Sequence, residues 1–108
     1  GKNAKGIEVD GIWFASKWEA KRWGELRLME RAGHIDGLRR QVRIQLIGQH
    51  GPILTPTGKV MTYIADFVYM ERSEQVIEDA KGYESDVYPI KRAILAAMGI
   101  YIKEIRQE

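Results

Sequence analysis

The stretch VMTYIADFVYMERSEQVIEDAKG, residues 60–82, contains two segments that are rich in β-branched and aromatic residues. Such residues are enriched in β-strands, and the charged segment 71–74 between them indicates a turn. We therefore predict two antiparallel strands. Each of them carries an aspartate inside sequence that is otherwise typical of a buried strand, Asp66 in the first and Asp79 in the second.

These two aspartates are expected to lie next to each other. Asp66 is the only charge within residues 62–70, and a charge in apolar surroundings is costly unless it is paired or bound to a metal. Alternation along the second strand puts Asp79 and Lys81 on one face and Glu78 on the other. If the strands are neighbours, the two carboxylates repel each other unless a cation lies between them. Lys81 could supply part of that positive charge, and a divalent metal could supply more.

Two features precede these strands along the chain. IEVDGIWF, residues 7–14, has an Asp-Gly pair at its centre and predicts a tight β-hairpin. Ser16 followed by Glu19 forms a capping-box pattern, which predicts a helix that runs through Ala32 and closes at Gly33.

The rest of the chain alternates similar signals. QVRIQLI, residues 41–47, has the period of a half-buried strand, and the Gly/Pro/Thr-rich stretch 48–58 predicts a loop or a long hairpin tip. Pro89 and Gly99 bracket a second helix, and IYIKEI, residues 100–105, predicts a last strand. The expected fold is α/β, a mixed central β-sheet flanked by helices with an N-terminal β-hairpin.

The composition limits the number of domains, the chemistry and the partners that can be expected. The 108 residues, 44% of them hydrophobic, favour one compact domain over 1–108, with residues 1–6 expected to be flexible. Cysteine is absent, so the chemistry must use carboxylates, lysine, histidine or hydroxyls, as suits a reducing compartment. No bilayer-spanning run and no signal-peptide pattern is visible, and we therefore expect a cytoplasmic protein without a membrane partner. The formal charge of +2 is too mild to demand a nucleic-acid partner by itself.

Glu19 is a third candidate for the acidic site. It shares a narrow stripe of its helix with Trp23 and Leu26, which predicts that it faces inward. Its position in the capping box offers a competing explanation that needs no metal. Similarly, Asp79 and Lys81 could form a simple ion pair at a strand end.

Three blocks carry a resemblance to a known family. They read VDGIWFASKWEAKR (residues 9–22), YIADFVY (63–69) and EDAKG (78–82). In this order they resemble the PD-(D/E)xK nucleases of the restriction-endonuclease-like fold. The resemblance is sharper to a formerly uncharacterised phage and prophage branch that is Holliday-junction-resolvase-like and shares VDGIxFxSKxEAxR, YxADFxY and EDxKG. Ala65 stands where the family name has proline, a frequent substitution that does not touch the metal ligands.

The resemblance implies a role for each site residue. Asp66 and Asp79 would bind Mg²⁺ or Mn²⁺ together with the Ala80 carbonyl, and Glu19 would bind directly or through water. Hard oxygen ligands of this kind select hard cations. Lys81 would orient or deprotonate the attacking water, or neutralise charge on the phosphate. Glu78, on the opposite face, is expected to be a solvated or sheet-face residue rather than a ligand.

Other polar and aromatic residues receive weaker assignments. The basic residues around both helices could be a solvated face, or they could bind phosphates. We predict as DNA-binding Lys17, Lys21, Arg22, Arg39, Arg40, Lys91 and Arg92. Tryptophans 13, 18 and 23 could stack on bases, although aromatic residues near a helix start more often belong to the core. The two histidines, His34 and His50, receive no role.

The resemblance and the residues together predict a Mg²⁺-dependent, structure-selective DNA endonuclease, specifically a phage-type Holliday junction resolvase in a bacterial or phage-infected cytoplasm. Resolution needs two symmetric nicks, which implies a homodimer acting on branched DNA. The alternatives are a nickase or another DNA nuclease of the same fold, and a non-catalytic nucleic-acid-binding domain.

Overall fold

The computed structural model describes residues 6–82 and 84–107. Within them the fold is mixed α/β, with a four-stranded mixed sheet, two helices and an N-terminal antiparallel hairpin. This confirms the expected fold class and is compatible with a restriction-endonuclease-like core. In chain order the elements are β1 (Ile7–Val9), β2 (Ile12–Phe14), α1 (Lys17–Arg31), β3 (Asp36–Gln45), β4 (Ile47–Gly48), β5 (Gly51–Pro52), β6 (Thr62–Glu71), β7 (Glu74–Lys81), α2 (Tyr88–Ala97) and β8 (Ile102–Arg106).

The main sheet has the strand order β3-β6-β7-β8. Strand β6 pairs antiparallel with both β3 and β7, as predicted for the β6–β7 pair, and β7 pairs parallel with β8. The turn between β6 and β7 consists of Arg72 and Ser73, which both have positive φ, 53° and 66°. Two residues with positive φ are typical of a tight turn whose twist matches the strands it joins. The parallel pair requires a crossover, and α2 provides it.

Two hydrophobic clusters hold the helices on the sheet. One includes Leu26 of α1 together with Phe67 and Tyr69 of β6. The other includes Leu95 of α2 and Ile102 of β8. These residues are between 0% and 8% exposed, so both helices bury apolar side chains against the strands that carry the acidic residues.

The helix boundaries follow the predicted caps. The Oγ of Ser16 accepts a hydrogen bond from the backbone N–H of Glu19 at 3.1 Å, as an N-cap should. Gly33 follows α1 with φ of 83°, a conformation that glycine adopts without steric cost. Helix α2 begins beside Pro89 and ends before Gly99, which also has φ of 83°.

The structure corrects two boundaries. Strand β3 spans Asp36–Gln45 instead of residues 41–47. Its first half gave no strand signal, because Arg40 stands at a partly buried position where alternation requires an apolar side chain. The predicted last strand, residues 100–105, is observed as Ile102–Arg106. The stretch 48–58 contains part of the short antiparallel pair of β4 and β5, in agreement with the predicted loop or hairpin tip.

The predicted flexibility of residues 1–6 falls mostly on 1–5, which lie outside the described residues. In the described part of the chain, neither helix is long and apolar enough to cross a membrane.

Candidate active site

Asp66 and Asp79 meet where β6 and β7 begin to separate. The last paired residues at this end are Phe67 and Glu78, and the two aspartates are the next residues on their strands. The Asp66 Oδ2 accepts a hydrogen bond from the backbone N–H of Ala80 at 2.9 Å. The side chain of Asp66 therefore reaches across to β7 and occupies the space between the strands.

The environment of Asp66 disfavours its negative charge. Burial raises its pKa most, and the adjacent carboxyl groups of Asp79 and Glu19 add to the effect, so that the pKa rises to about 8. The hydrogen bond from Ala80 acts in the opposite direction and is weaker. Three acidic side chains from three elements thus influence one another electrostatically, as was expected from the sequence.

Lys81 supplies positive charge to the acidic site. Its Nζ lies 2.7 Å from the Asp79 Oδ2, and the Lys81 residue is only 6% exposed. The same Nζ lies 3.1 Å from the centroid of the Tyr88 ring, a cation–π contact with α2. The alternative ion pair between Asp79 and Lys81 at the end of β7 is therefore present, and it is mostly buried.

Glu19 reaches the site from the first turn of α1. Its backbone N–H completes the Ser16 cap, whereas its carboxylate accepts a hydrogen bond from the Gln41 Nε2 at 3.1 Å and lies 3.6 Å from the Arg40 Nη2. Burial raises the pKa of Glu19, Arg40 lowers it, and Asp79 raises it again. The helix cap and the inward-facing carboxylate are therefore both present, because the backbone of Glu19 serves one and its side chain the other.

Gln41 connects the two acidic residues that come from α1 and β6. Its Nε2 lies 3.1 Å from the Glu19 Oε2 and 3.3 Å from the Asp66 Oδ1. Gln41 also has φ of 53°, which is uncommon for a residue other than glycine. Gln41 carries no sequence signal for this position, because neither its side chain nor its neighbours indicate a left-handed conformation within a strand.

At Gln41 on β3 and Asp66 on β6, the direction of the inward side chains switches from the α1 side of the sheet to the α2 side. On β3, Leu38 packs with the α1 cluster, whereas Val42 packs with the α2 cluster. On β6, Phe67 belongs to the α1 cluster and Ala65 to the α2 cluster. In a regular strand, residues an even number apart point to the same face, so each of these two pairs should contact one helix only. The pairing register between β3 and β6 is nevertheless the same before and after Gln41, so the change of face is not caused by an inserted residue at this point. The break in alternation brings the site together at the middle of the sheet.

A cleft of about 350 Å³ opens at this break. It is lined by Trp13, Ala15, Glu19, Arg40, Gln41 and Asp66. Two of the predicted acidic residues therefore face a space that a ligand could enter, beside one guanidinium group.

The three carboxylates are of the right chemical type to bind a hard cation, but their side chains are not arranged as a metal-binding site in this structure. Glu19, Asp66 and Asp79 offer carboxylate oxygens, the ligands that Mg²⁺ and Mn²⁺ prefer. Across residues 6–82 and 84–107, however, no three acidic or histidine side chains stand in a metal-chelating arrangement. Gln41 and Lys81 instead provide the hydrogen bond and the positive charge that the carboxylates need.

Comparison with known proteins identifies the family. A family model described as "Protein of unknown function (DUF1064)" matches residues 2–106. The chain belongs to the DUF1064 family. No curated protein and no solved structure matches it. Because the family description names no activity, the function of this DUF1064 protein has to be argued from its site.

On the opposite face of the sheet, the DUF1064 chain carries a second charged group. Glu78 is 0% exposed, and its two carboxylate oxygens accept hydrogen bonds from Arg22 at 2.6 and 3.0 Å. The hydroxyl of Tyr69 donates a third hydrogen bond at 2.6 Å. Glu78 is a sheet-face residue as predicted, but the expectation that it might be solvated is wrong, since its pairing with Arg22 allows full burial.

The predicted DNA-binding residues differ in whether their charged groups contact other groups of the protein. Lys17, Lys21 and Arg39 are exposed. The remaining four make contacts within the protein: Arg22 with Glu78, Arg40 with Glu19 and with the Trp13 carbonyl, Lys91 with the Thr62 carbonyl at 2.7 Å, and Arg92 with Glu104 at 2.9 Å.

The tryptophans of the DUF1064 chain have separate environments. The Trp18 Nε1 donates a hydrogen bond to the Ile105 carbonyl at 3.0 Å, and Trp23 stacks on Phe67 with 6.0 Å between ring centroids. Both are half-buried, in agreement with a core role. Trp13 is 62% exposed, so the core interpretation is wrong for this residue. The two histidines are exposed.

Proposed function

We propose that this protein is a metal-dependent, structure-selective DNA endonuclease of the PD-(D/E)xK type, and specifically a resolvase of four-way junctions. The observation that carries the proposal is the convergence of Asp66, Asp79 and Lys81 at the separation of β6 and β7, with Glu19 directed to the same point from α1. Sequence resemblance alone would give the order of these residues, and the geometry adds their proximity.

The carboxylates have a specific part in this proposal. Asp66 and Asp79 would hold Mg²⁺ or Mn²⁺ with the Ala80 carbonyl, and Glu19 would hold it directly or through water. When bound, such an ion supplies Lewis acidity and neutralises charge at the scissile phosphate. The raised pKa of Asp66 is consistent with carboxylates that are crowded before a cation arrives.

Lys81 would act on the phosphate or on the attacking water. Its ammonium group is fixed between the Asp79 carboxylate and the Tyr88 ring. A group held in this way keeps a defined direction, which is what orientation of a water molecule or contact with a phosphate oxygen requires.

The substrate and assembly follow from the proposed reaction. Two symmetric nicks in a four-way junction need two active sites, so the active species would be a homodimer in the cytoplasm. The exposed residues Lys17, Lys21 and Arg39 would contact phosphates, which makes binding sensitive to salt.

The experiment compares two substrates of matched sequence, a four-way junction and a linear duplex, with Mg²⁺ or with EDTA. We expect paired nicks in the junction only when Mg²⁺ is present. Single nicks in both substrates would instead identify a nickase or a general nuclease of the same fold. Binding of DNA without cleavage would overturn the enzymatic proposal in favour of a non-catalytic nucleic-acid-binding domain.

A further inference from the structure

Trp13 is exposed in a way that its structural neighbours do not explain. The side chain lies on β2, beside the cleft that Glu19 and Asp66 line, and 62% of the residue is accessible to solvent. Tryptophan is highly buried on average in folded proteins. An exposed indole at the mouth of a polar cleft therefore calls for a ligand with an apolar surface.

The position of this indole is fixed. A Cβ on Gly6 would lie 1.8 Å from the Trp13 Cζ2 and 2.2 Å from its Cη2, so the six-membered ring lies directly against the Gly6 backbone. The Trp13 carbonyl also accepts a hydrogen bond from the Arg40 Nη2 at 3.0 Å. Contacts on both the side chain and the backbone hold the residue, while most of the ring remains open to solvent.

The chemistry around the ring selects a nucleobase over other apolar ligands. Arg40 contacts the Trp13 carbonyl and lies 3.6 Å from the Glu19 carboxylate, so part of its guanidinium group is engaged within the protein while it still places positive charge at the cleft that a phosphate can approach. A flat aromatic surface next to a cation is the combination that proteins use to bind unpaired bases, because every base has a face that can stack. Bases within a regular duplex are already stacked on their neighbours and are not accessible to such a residue.

We propose that Trp13 stacks on an unpaired nucleobase of the bound DNA, next to the acidic cleft. This inference rests on the proposed function and adds a specificity determinant to it: the preferred substrates present unpaired bases, as a single-stranded segment does and as a branch point does when a pair next to it opens. Trp13 touches the DNA away from the reacting phosphate, so its contribution is to substrate selection.

The test measures binding without cleavage. Wild-type protein in EDTA is titrated with a single-stranded thymidine homopolymer and, separately, with a blunt duplex, and tryptophan fluorescence is recorded. We expect the single strand to quench the fluorescence because a base stacks on the exposed indole. Trp13→Ala should lower the affinity for the single strand by ~10-fold or more, and Trp13→Phe should retain most of it.

Two further variants sharpen the result. Gly6→Ala should also weaken single-strand binding, because the added methyl group displaces the ring. Tyr101→Ala removes an aromatic residue that is 76% exposed but does not line the cleft, and its affinity should equal that of the wild type. Circular dichroism of each variant verifies that the fold is retained.

The outcomes separate this inference from the proposed function. Absence of quenching in the wild type, or equal single-strand affinity for the wild type and Trp13→Ala, overturns it even if the protein cleaves DNA. Loss of self-association in Trp13→Ala with unchanged DNA affinity also overturns it, because Trp13 would then contact a second copy of the chain. Trp13-dependent binding without any metal-dependent cleavage would support it and refute the endonuclease proposal alone.

Discussion

The Asp66 Oδ2 lies 2.9 Å from the backbone nitrogen of Ala80, so a carboxyl group on one strand is hydrogen-bonded to the strand that carries the second carboxyl group. This contact draws Asp66 into the space between β6 and β7, beside Asp79, where burial opposes its ionisation. The arrangement holds a carboxyl group at a defined place although its surroundings disfavour the charged form. Carboxyl groups with strongly raised pKa values are common at functional sites, including those that bind cations.

Stability should therefore fall as pH rises. The pKa of Asp66 is about 8 in the folded protein against an ordinary value of 3.8, so the folded state holds more protons than the unfolded state between these values. Under that condition the free energy of unfolding decreases from about pH 4 to about pH 8. Asp66→Asn should remove this decrease and be more stable than the wild type near pH 8, by ~1 kcal/mol or more. Urea denaturation near pH 5 and pH 8 measures both. An equal pH slope in the two proteins would contradict the explanation.

Divalent cations should bind to the crowded carboxylates and support cleavage. We expect Mg²⁺ and Mn²⁺ to sustain activity, Ca²⁺ to bind with little cleavage, and chelation to abolish activity. Cation binding should also raise the thermal midpoint of the wild type near pH 8, since a ligand of the folded state stabilises it. Asp79→Asn should lose both effects; it also removes the partner of the buried Lys81 and should lower the stability, so circular dichroism must verify that the variant is folded at the assay temperature. Full activity in excess EDTA would be incompatible with this prediction.

Glu19 and Ser16 should have separable effects. Glu19→Gln keeps the backbone N–H that donates a hydrogen bond to the Ser16 hydroxyl. It removes the negative charge beside Asp66 and Asp79. We expect cleavage at limiting Mg²⁺ to fall by ~10-fold or more, with partial recovery at higher Mg²⁺. Ser16→Ala should cost about 1 kcal/mol of stability and leave the Mg²⁺ dependence unchanged. If the Mg²⁺ titration curves of Glu19→Gln and the wild type coincide, Glu19 does not belong to the metal site.

The Arg22–Glu78 pair should dominate the stability of the α1–β7 contact. Glu78→Gln removes the charge partner of a guanidinium group that is mostly buried, and breaking a buried pair in this way costs roughly 3–5 kcal/mol. Glu25→Gln is the matched control, because Glu25 contacts the same Arg22 from an exposed position and should matter by less than ~1 kcal/mol. Urea denaturation of the two variants gives the comparison. Equal losses would show that burial does not set the strength of this pair.

Much of the fold could be predicted from local sequence signals. The Asp-Gly turn of the first hairpin, the Ser16 cap and the apolar strands β6 and β7 each act through neighbouring residues, and the structure confirms all three. The start of β3 was not predictable from alternation, because Arg40 occupies a partly buried position where the pattern requires an apolar side chain.

The site could be predicted less completely. Asp66 and Asp79 stood out because each is a charge within strand-forming sequence, and the structure brings them together. Gln41 did not stand out, because its role depends on a left-handed conformation and on contacts with residues that are 22 and 25 positions away in the chain. The partner of Glu78 was equally hidden, since Arg22 lies 56 positions away. Only tertiary packing determines which arginine of a helix meets a buried glutamate.

The measurement that tests the endonuclease proposal most directly is the cleavage of a labelled four-way junction as a function of Mg²⁺ concentration. Wild type, Asp79→Asn and Glu74→Gln should be purified in parallel, because Glu74 is an exposed acidic residue of the same strand and controls for loss of charge. We predict Mg²⁺-dependent paired nicks for the wild type and Glu74→Gln, and none for Asp79→Asn. Cleavage that is absent in the wild type, or equal in the wild type and Asp79→Asn, would contradict the proposal.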